Sequence, residues 1–300
     1  MWNSAGRSGP TSCSGRARSA RRRVSVRTTV SAAVLTAFVA LAFGSVAAQA
    51  GSRASLASSP GPLVAAGTIH YCSDISSPPL EFYKNGTTAT GSDIAIGDAI
   101  AAKLHLKPVW VNTAFSGIIP ALQAKHCDAI ISELFDKAAR RKVVSFVDYM
   151  FSSSAILVRH GNPLHISGLA GLCGHHAAAE TGTTIVDFFT AQSKKCTAHG
   201  KPAISVQTFL RDSDALEQLG LGHVDAYGTT VETGAYDMSK NHGQFQFAGK
   251  PFSPIPAGIA VRKNDPQLLH AIGQAFHSIK SNGTYKSIMA KWGLTGDMIK

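Results

Sequence analysis

The chain has 300 residues, 44% of them hydrophobic, which is enough for one large domain or two medium-sized domains with buried cores. Its formal charge of +11 comes largely from residues 1–50, which contain seven Arg and no acidic residue. The remainder has 22 basic residues (29 − 7) against 18 acidic ones, an ordinary excess of four. No basic stripe interleaved with aromatic residues occurs, so we exclude nucleic acid as a partner.

The first fifty residues have the pattern of an export signal. A basic region ending at Arg27 precedes an apolar run over residues 29–47, and Ala48-Gln49-Ala50 is a small-x-small cleavage site. We predict cleavage near Ala50, before Gly51, which makes the mature protein periplasmic. The apolar run is short for a spanning helix and ends in the cleavage pattern, so a retained anchor is not expected. The true start codon stays open, because Val24 would give a shorter leading region.

Four cysteines follow the predicted cleavage site, in a compartment that permits disulfides. Cys173 and Cys196 flank one strand-loop-helix unit, and we pair them. Cys72 and Cys127 lie in two strands that should be sheet neighbours, but near opposite ends of them, so this second pair stays open. No CxxC or HExxH spacing is present, and we expect neither a metal nor a cofactor.

The mature chain begins with a Ser/Gly/Pro linker over residues 51–66, followed by a predicted strand over residues 68–72. The strand ends at Ser73-Asp74, and Pro78-Pro79 exclude a helix directly afterwards. Asp74 therefore stands at the carboxyl end of a strand, where ligands bind in open α/β sheets. A turn-forming Asp is the alternative interpretation.

Two βα units follow. Residues 81–83 predict a strand entering a turn, residues 93–104 a helix, and residues 109–111 a second strand. Phe115 begins the loop before a helix over residues 117–125. Because this loop follows a strand at the ligand-bearing edge, Phe115 is interpreted either as an aromatic wall for a ligand or as a core residue.

Residues 128–154, DAIISELFDKAARRKVVSFVDYMFSSS, contain the clearest candidate site. A short apolar strand ends at Ile131 and turns polar at Ser132 and Glu133, so the segment from Ser132 to Phe135 is predicted to be a ligand loop. Asp136 is expected to cap the short basic helix that follows. This helix carries Lys137, Arg140, Arg141 and Lys142.

Cations in the first turn of a helix oppose its dipole, so at least one of these four should be held by an anion. A solvated charge cluster is the alternative for Arg141 and Lys142, and Arg140 is the candidate for anion binding.

The second half of the chain repeats this organisation. Gly182-Thr183-Thr184 precedes a predicted helix over residues 185–192 and could bind an anion at the N-terminus of this helix. Ordinary helix capping is the alternative role for these residues. Four residues of the first half recur ninety-seven positions later, at a helix-turn-strand junction: Leu122, His126, Asp128 and Ala129 recur as Leu219, His223, Asp225 and Ala226. By the same offset Thr229-Thr230 correspond to Ser132-Glu133. The chain ends with an extended crossing (252–256), a strand (258–261) and two helices (267–279 and 283–292).

Seven further segments stand in an order that resembles one family: CSDISSPPLEF, GSDIAIGDAIAAKL, FSGIIPALQAKHCDAIIS, GTT, VDAYGTT, AGIAVRKNDPQLLHAI and NGTYKSIMAKWGL. Together with the 128–154 stretch they resemble the polar amino-acid-type (family 3) solute-binding proteins of ABC importers, which are type II periplasmic binding proteins. The likeness covers nearly everything after residue 67.

The resemblance implies an α/β fold of two lobes, each a mostly parallel sheet flanked by helices. Lobe 1 is expected to comprise residues 67–153 plus 257–300, and lobe 2 residues 154–256. The chain then crosses between the lobes twice, near residues 151–155 and 253–256, and two crossings make a hinge. The implied function is capture of a small polar, amino-acid-like solute for a membrane permease, by a monomeric protein that is not an enzyme.

The resemblance also implies roles for individual residues. Arg140 aligns with the Arg that clamps the α-carboxylate of the ligand, and Ser132 and Thr184 align with further carboxylate contacts. Asp74 aligns with an acid that contacts the cationic end, and Phe115 with the aromatic wall. The remaining expected ligand contacts are Ser77, Glu133, Phe135, Thr183 and Thr230.

Three positions depart from the family pattern. Thr230 stands where an acid usually pairs with the α-ammonium, Phe135 where a hydroxyl residue is usual, and Glu133 where the residue is normally small. Either the partner of the ammonium has moved to Glu133, or the ligand lacks an α-ammonium. The alternative function is an exported enzyme similar to cyclohexadienyl or arogenate dehydratases, with Glu133 as general acid.

Overall fold

The computed structural model describes residues 59–299. The predicted export signal and the first half of the linker, residues 51–58, lie outside the described residues. From residue 59 to residue 240 the regular elements are, in chain order, β1 (Thr68–Ser73), β2 (Phe82–Lys84), β3 (Thr88–Thr90), α1 (Ser92–Lys103), β4 (Lys107–Asn112), α2 (Ile118–Gln123), β5 (Ala129–Ile130), α3 (Ala138–Arg141), β6 (Val144–Arg159), β7 (His176–Glu180), α4 (Thr184–Ala198), β8 (Ser205–Phe209), α5 (Asp212–Leu221), β9 (Ala226–Thr230) and α6 (Val231–Lys240). The last elements are β10 (Phe245–Phe247), β11 (Phe252–Arg262), α7 (Pro266–Ser281) and α8 (Thr284–Lys291).

Nearly all the predicted elements are present, with boundaries shifted by a few residues. The largest differences are in helix α4 and strand β11, which are longer than predicted, and in β6, which extends on both sides of the predicted crossing near residues 151–155. Helix α4 continues to Ala198, and β6 and β11 are strands of 16 and 11 residues. Sequence reasoning missed β3, which forms a hairpin with β2, and it assigned no element to β8, α6 or β10. Among residues 59–299, no helix has the length and apolar character needed to cross a membrane.

Nine strands form one mixed sheet in the order β4-β1-β5-β11-β6-β9-β7-β8, with β10 paired to β6. Strand β1 runs parallel to β4 and β5, and β7 runs parallel to β8 and β9. Strands β6 and β11 are antiparallel to each other and join these two parallel groups. We call the part containing β4, β1 and β5 the first half of the sheet, and the part containing β9, β7 and β8 the second half.

Both predicted crossings lie in the two long central strands, side by side. In β6 and β11 Ser152 is opposite Ile255 and Ser154 is opposite Phe252. The register shifts between Phe252 and Ile255, where Pro254 has no N–H to donate to the ladder. The two segments that connect the halves are therefore hydrogen-bonded to each other.

Each half of the sheet has its own buried apolar clusters. In the first half, helix α7 buries Leu268, Ala271, Ile272, Ala275 and Ile279, spaced along one helical face. Asp265 caps this helix by accepting a hydrogen bond from the Leu268 N–H at 3.1 Å. In the second half, Phe189 of α4 is buried against Gly228 of β9, where a Cβ would lie 2.4 Å from the Phe189 ring.

Two disulfides are formed, Cys72–Cys127 and Cys173–Cys196, each with a Cα–Cα distance of 5.6 Å. The predicted Cys173–Cys196 pair is confirmed, and the Cys72–Cys127 pair, which the sequence left open, forms as well. Strand β5 has only two residues, and Ile130 pairs with Cys72 in the register of β1 and β5. Cys127, just before so short a strand, therefore stays within reach of Cys72.

Candidate ligand site

A cavity lies between the two halves of the sheet, where the parallel strands end. It is lined by nine of the ten residues predicted from the sequence: Ser77, Phe115, Ser132, Glu133, Phe135, Arg140, Thr183, Thr184 and Thr230. Asp74 is the predicted residue that does not line it. The cavity is also lined by residues that were not among the predicted ligand contacts: Glu81, Glu180, Ile185, Asp212, Gly228, Thr229 and Thr233. The contacts of these residues with a ligand stay predictions.

Arg140 is a buried cation in this cavity, with 7% of its surface exposed. Its Nη1 donates to the Phe135 carbonyl at 3.1 Å and its Nη2 to the Gly182 carbonyl at 3.3 Å, and the guanidinium lies 5.3 Å from the centre of the Phe115 ring. No carboxylate of the described residues lies within ion-pair distance. Burial lowers the pKa of Arg140 to about 10, which leaves it charged at neutral pH. A guanidinium so placed is suited to binding an anion.

The other cations of α3 have protein partners or face solvent. Lys137 pairs with Asp187 at 2.5 Å, and Arg141 pairs with Asp136 through two bonds of 2.5 and 2.7 Å. Lys142 is exposed. The predicted capping by Asp136 is wrong, because Lys137 is the N-cap residue and no side chain caps the helix. Asp136 instead neutralises Arg141, so carboxylates of the protein account for two of the cations and Arg140 remains for a ligand.

A first acidic group, Glu81 and Glu133, lines the cavity in the first half of the sheet. The Ser132 hydroxyl donates to Glu81 Oε1 at 2.8 Å and accepts from the Asp74 N–H at 2.9 Å. Glu81 Oε2 is buried without a hydrogen-bond partner among the described residues. Burial, reinforced by the charges of Asp93 and Glu133, raises the pKa of Glu81 well above its usual value.

Glu133 has a positive φ of 42°, a conformation that costs energy for a residue with a side chain. Its N–H donates to Asp93 Oδ2 at 2.9 Å, which helps hold that backbone. Its Oε2 accepts from the Thr230 hydroxyl at 3.2 Å, whereas its Oε1 is buried without a partner among the described residues. Burial, followed by the charge of Glu232, raises the pKa of Glu133 well above its usual value. This carboxylate therefore has an unused acceptor that suits an ammonium.

A second acidic group, Glu180 and Asp212, lines the cavity in the second half. Glu180 ends β7 and is buried, with Oε1 unpartnered among the described residues. Burial, followed by the charges of Asp212 and Asp74, raises its pKa well above the usual value. Burial also raises the pKa of Asp212 to about 7, although a hydrogen bond from the Tyr227 hydroxyl opposes this effect.

Asp74 lies behind the cavity wall and is already paired. Its Oδ1 forms an ion pair with Arg211 at 2.7 Å, and its Oδ2 accepts from the Phe115 N–H at 2.7 Å. Arg211 also donates to Asn112 Oδ1 at 3.0 Å. The acid that the sequence assigned to the cationic end of a ligand therefore has a resident cation.

The start of α4 faces the cavity through Thr183 and Thr184. Thr183 is the N-cap residue, but its hydroxyl donates to the Glu180 carbonyl at 2.7 Å rather than capping the helix, so the capping alternative is wrong. The Thr184 hydroxyl is buried without a partner among the described residues. Gly182 has a φ of 85°, and a Cβ there would lie 2.9 Å from the Cα of Ser116 in the first half. Glycine thus permits the close approach of the two halves.

Sequence reasoning missed three acids that line the cavity. Glu180 follows the rule used for Ser132, since it is the polar end of a buried strand, and that signal was available in the sequence. Glu81 was assigned to a strand, and Asp212 begins a helix, so neither carried a local signal.

A family model described as bacterial extracellular solute-binding proteins, family 3, matches residues 69–295. The chain belongs to this family. The arginine-binding protein ArgT of Corynebacterium glutamicum is 26% identical over 219 residues, which cover 72% of this chain and 71% of that protein. The predicted family is therefore confirmed, and relatives in it are named as binding proteins.

Solved structures support the same conclusion about the fold. An ancestral arginine-binding protein bound to arginine is similar with a TM-score of 0.70 and 32% identity, over 75% of this chain and 98% of that one. The ancestral amino acid-binding protein AncCDT-1, a precursor of cyclohexadienyl dehydratase, gives a TM-score of 0.65 and 31% identity, over 75% and 95%. The structural neighbours are type II periplasmic binding proteins, so the predicted fold class is confirmed.

Proposed function

We propose that this solute-binding protein is the periplasmic component of an ABC importer and captures an amino acid or a related amine-bearing carboxylate. The observation that carries the proposal is Arg140, a buried guanidinium in the cavity with no carboxylate partner among the described residues. A ligand carboxylate would complete its hydrogen bonding bidentately, as Arg-carboxylate pairs do. The unpartnered Thr184 hydroxyl adds a further donor nearby in the lining.

The ammonium of the ligand would be held by the first acidic group. The family pattern expects an acid at position 230, but Thr230 instead donates to Glu133 Oε2. Glu133 Oε1 and Glu81 Oε2 remain as unpartnered acceptors, and an ammonium has three donors. A carboxylate in the first half thus replaces the usual acid of the second half.

Capture would proceed by closure of the two lobes, residues 67–153 plus 257–300 and residues 154–256, about the strands β6 and β11. The close approach at Gly182 and the Glu133–Thr230 hydrogen bond are contacts that closure would form. The captured solute would pass to a membrane permease, and the binding protein itself would act as a monomer. Export with cleavage near Ala50 predicts Gly51 as the mature N-terminus, which N-terminal sequencing checks.

The experiment is a ligand panel on the purified protein, with melting curves and calorimetric titration. A true ligand should raise the melting temperature by mass action, with stabilisation of about 2.7 kcal/mol at a concentration 100 times Kd. Small-angle scattering should show a smaller radius of gyration at saturation. A protein that none of the amino acids or related amines stabilises would refute the proposal.

A dehydratase acting on cyclic acids is the second candidate, because the raised pKa of Glu133 suits a general acid and the chain is similar to a precursor of such an enzyme. Incubation with prephenate-like acids separates the two functions. We expect reversible stabilisation by amino acids and no product, whereas turnover that is lost in Glu133→Gln would establish the enzyme.

A further inference from the structure

We propose that Glu180 selects a ligand with a second positive charge by accepting hydrogen bonds from that charged group. Asp74 does not take part in this selection, because its ion pair with Arg211 joins the two halves. The inference rests on the proposed function and deepens it. The ligand implied for this protein is an amino acid with one carboxylate and two cationic groups.

Asp74 is unavailable to a ligand because both of its oxygens are used. Arg211 holds Oδ1 at 2.7 Å, and the Phe115 N–H holds Oδ2 at 2.7 Å. Asp74 is 1% exposed and does not line the cavity. Arg211 precedes α5 in the second half, whereas Asp74 follows β1 in the first half, so their ion pair joins the halves. The Arg211–Asp74 ion pair therefore stabilises the closed arrangement of the two halves and does not contact the ligand.

Glu180 has the opposite properties. It lines the cavity, it is 4% exposed, and its Oε1 has no hydrogen-bond partner among the described residues. A buried carboxylate oxygen left without a donor is costly, and a cationic donor on the ligand would remove that cost. Thr183 donates to the backbone carbonyl of Glu180 rather than to its carboxylate, so Oε1 keeps its unused acceptor.

Charge balance around Glu180 favours a cation. Glu180 interacts electrostatically with Asp212, Asp74 and Arg211, so three acids share one cation. A cationic group on the ligand would favour the charged form of Glu180 in these buried, acidic surroundings. The first acidic group, Glu81 and Glu133, belongs to the other half of the sheet and would be occupied by the α-ammonium. A ligand cation at Glu180 must therefore be a separate group.

The test compares ligands of matched shape that differ in the charge of the side chain: L-arginine with L-citrulline, L-lysine with L-norleucine, and L-ornithine with L-norvaline. Calorimetric titration of the wild type should show tighter binding of the cationic member by at least about tenfold in a pair that binds. Glu180→Gln should reduce this preference to within about threefold, because an amide has no charge to pair with the cation.

Two variants serve as controls. Glu217→Gln removes the same charge from an exposed position of α5 and should keep the wild-type preference. Arg211→Gln should also keep the preference for the cation, although it weakens binding of both members by destabilising the closed form. Melting curves of each variant confirm folding.

Failure of the proposed function and failure of the inference about Glu180 give different results. A wild type that no amino acid or related amine of the full ligand panel stabilises contradicts the proposed function itself, whereas one that binds other panel members but no cationic member of the pairs overturns only the inference about Glu180. A wild type that binds amino acids without preference for the cation overturns only the inference about Glu180. The same conclusion follows if Glu180→Gln, still folded, keeps the preference, and a loss of the preference in Asp74→Asn would then assign the selection to Asp74.

Discussion

The two halves of the sheet contain the same helix-strand junction. In the first half, Arg262 at the end of β11 donates to the carbonyls of Leu122 at 3.3 Å and Cys127 at 2.7 Å. In the second half, Arg159 at the end of β6 donates to the carbonyls of Leu219 at 3.3 Å and Val224 at 2.8 Å, ninety-seven residues further on. The repeat seen in the sequence is therefore a repeat of hydrogen bonding, in which each long central strand ends in an Arg that binds a junction of the adjacent half.

The junctions are alike, but the residues that follow them differ. Ser132 and Glu133 of the first half correspond to Thr229 and Thr230 of the second. The equivalent positions Glu133 and Thr230 meet across the cavity at 3.2 Å. The same junction thus occurs in both halves, while the cavity-facing residues that follow it differ. The first half supplies the guanidinium of Arg140 and the carboxylates of Glu81 and Glu133, and the second half supplies hydroxyls, Glu180 and Asp212.

The largest expected effect is the loss of Arg140, which tests whether the first half holds the charged groups of the ligand. In Arg140→Ala a desolvated carboxylate would lose its partner, so binding should weaken by about 2 to 5 kcal/mol in calorimetric titration. Arg140→Lys should recover only part of the loss, because an ammonium lacks the two-pronged geometry.

Lys142→Ala is the matched control for Arg140, since it removes an exposed charge two residues away and should change binding by less than about 1 kcal/mol. Arg141 is less suitable as a control, because its removal leaves the buried Asp136 unpaired. Equal modest losses at positions 140 and 142 would mean that the carboxylate is bound elsewhere.

The disulfides offer a comparison of stability between the halves. The Cys72–Cys127 disulfide of the first half joins residues separated by 55 positions in the sequence, and the Cys173–Cys196 disulfide of the second half joins residues separated by 23. By loop entropy, Cys72→Ala/Cys127→Ala should cost about 4 kcal/mol and Cys173→Ala/Cys196→Ala about 3 kcal/mol in denaturant unfolding. A larger loss from the second pair would contradict the loop-entropy explanation. Cys72 and Cys127 are fully buried, so their disulfide should also be reduced more slowly in the native protein.

Asp237 in the second half should contribute to the dependence of stability on pH. Burial, followed by the charge of Asp212, raises the pKa of Asp237 in α6 to about 8. The native state then keeps a proton that the unfolded state releases near pH 4, so stability is lost as pH rises from about 4 to about 8. Asp237→Asn should reduce this loss by on the order of 2 kcal/mol between pH 5 and pH 8, seen as a higher melting temperature at pH 8.

Asp93 in the first half provides the contrast to Asp237. Burial raises its pKa as well, but Tyr149, Ser92 and the Glu133 N–H donate to its carboxylate and oppose the shift. Asp237 instead has a buried Oδ2 without a partner among the described residues. Equal melting temperatures of the wild type and Asp237→Asn at pH 8 would refute this account of Asp237.

The smallest effect is expected for the ion pair between Lys137 and Asp187, which joins the halves at the surface. Because the Asp187 side chain is 66% exposed, the pair should contribute at most about 1 kcal/mol to the closed form. Asp187→Asn should weaken ligand binding by no more than about fivefold, and less at high salt. A loss of affinity as large as that of Arg140→Ala would show that this surface ion pair, rather than the binding of a ligand carboxylate by Arg140, controls closure.

Local patterns in the sequence were sufficient for most of the fold. Apolar runs and helical periodicity predicted the βα units, because burial of one face or both faces leaves a regular signature along the chain. Arg140 was separated from Arg141 by its alignment with a known motif, and nine predicted residues line one cavity. These residues follow strand ends or begin helices, positions that the sequence itself identifies.

Only the tertiary structure decided which polar groups are partners. Arg211 and Asp74 are 137 residues apart, and no periodic pattern indicates that this pair removes Asp74 from the cavity. Likewise Asp136 binds Arg141 instead of capping α3, and Glu133 meets Thr230 across the cavity. The physical reason is that periodicity reports whether a side chain is buried, whereas the partner of a buried charge depends on which distant atoms the folded backbone brings within about 3 Å.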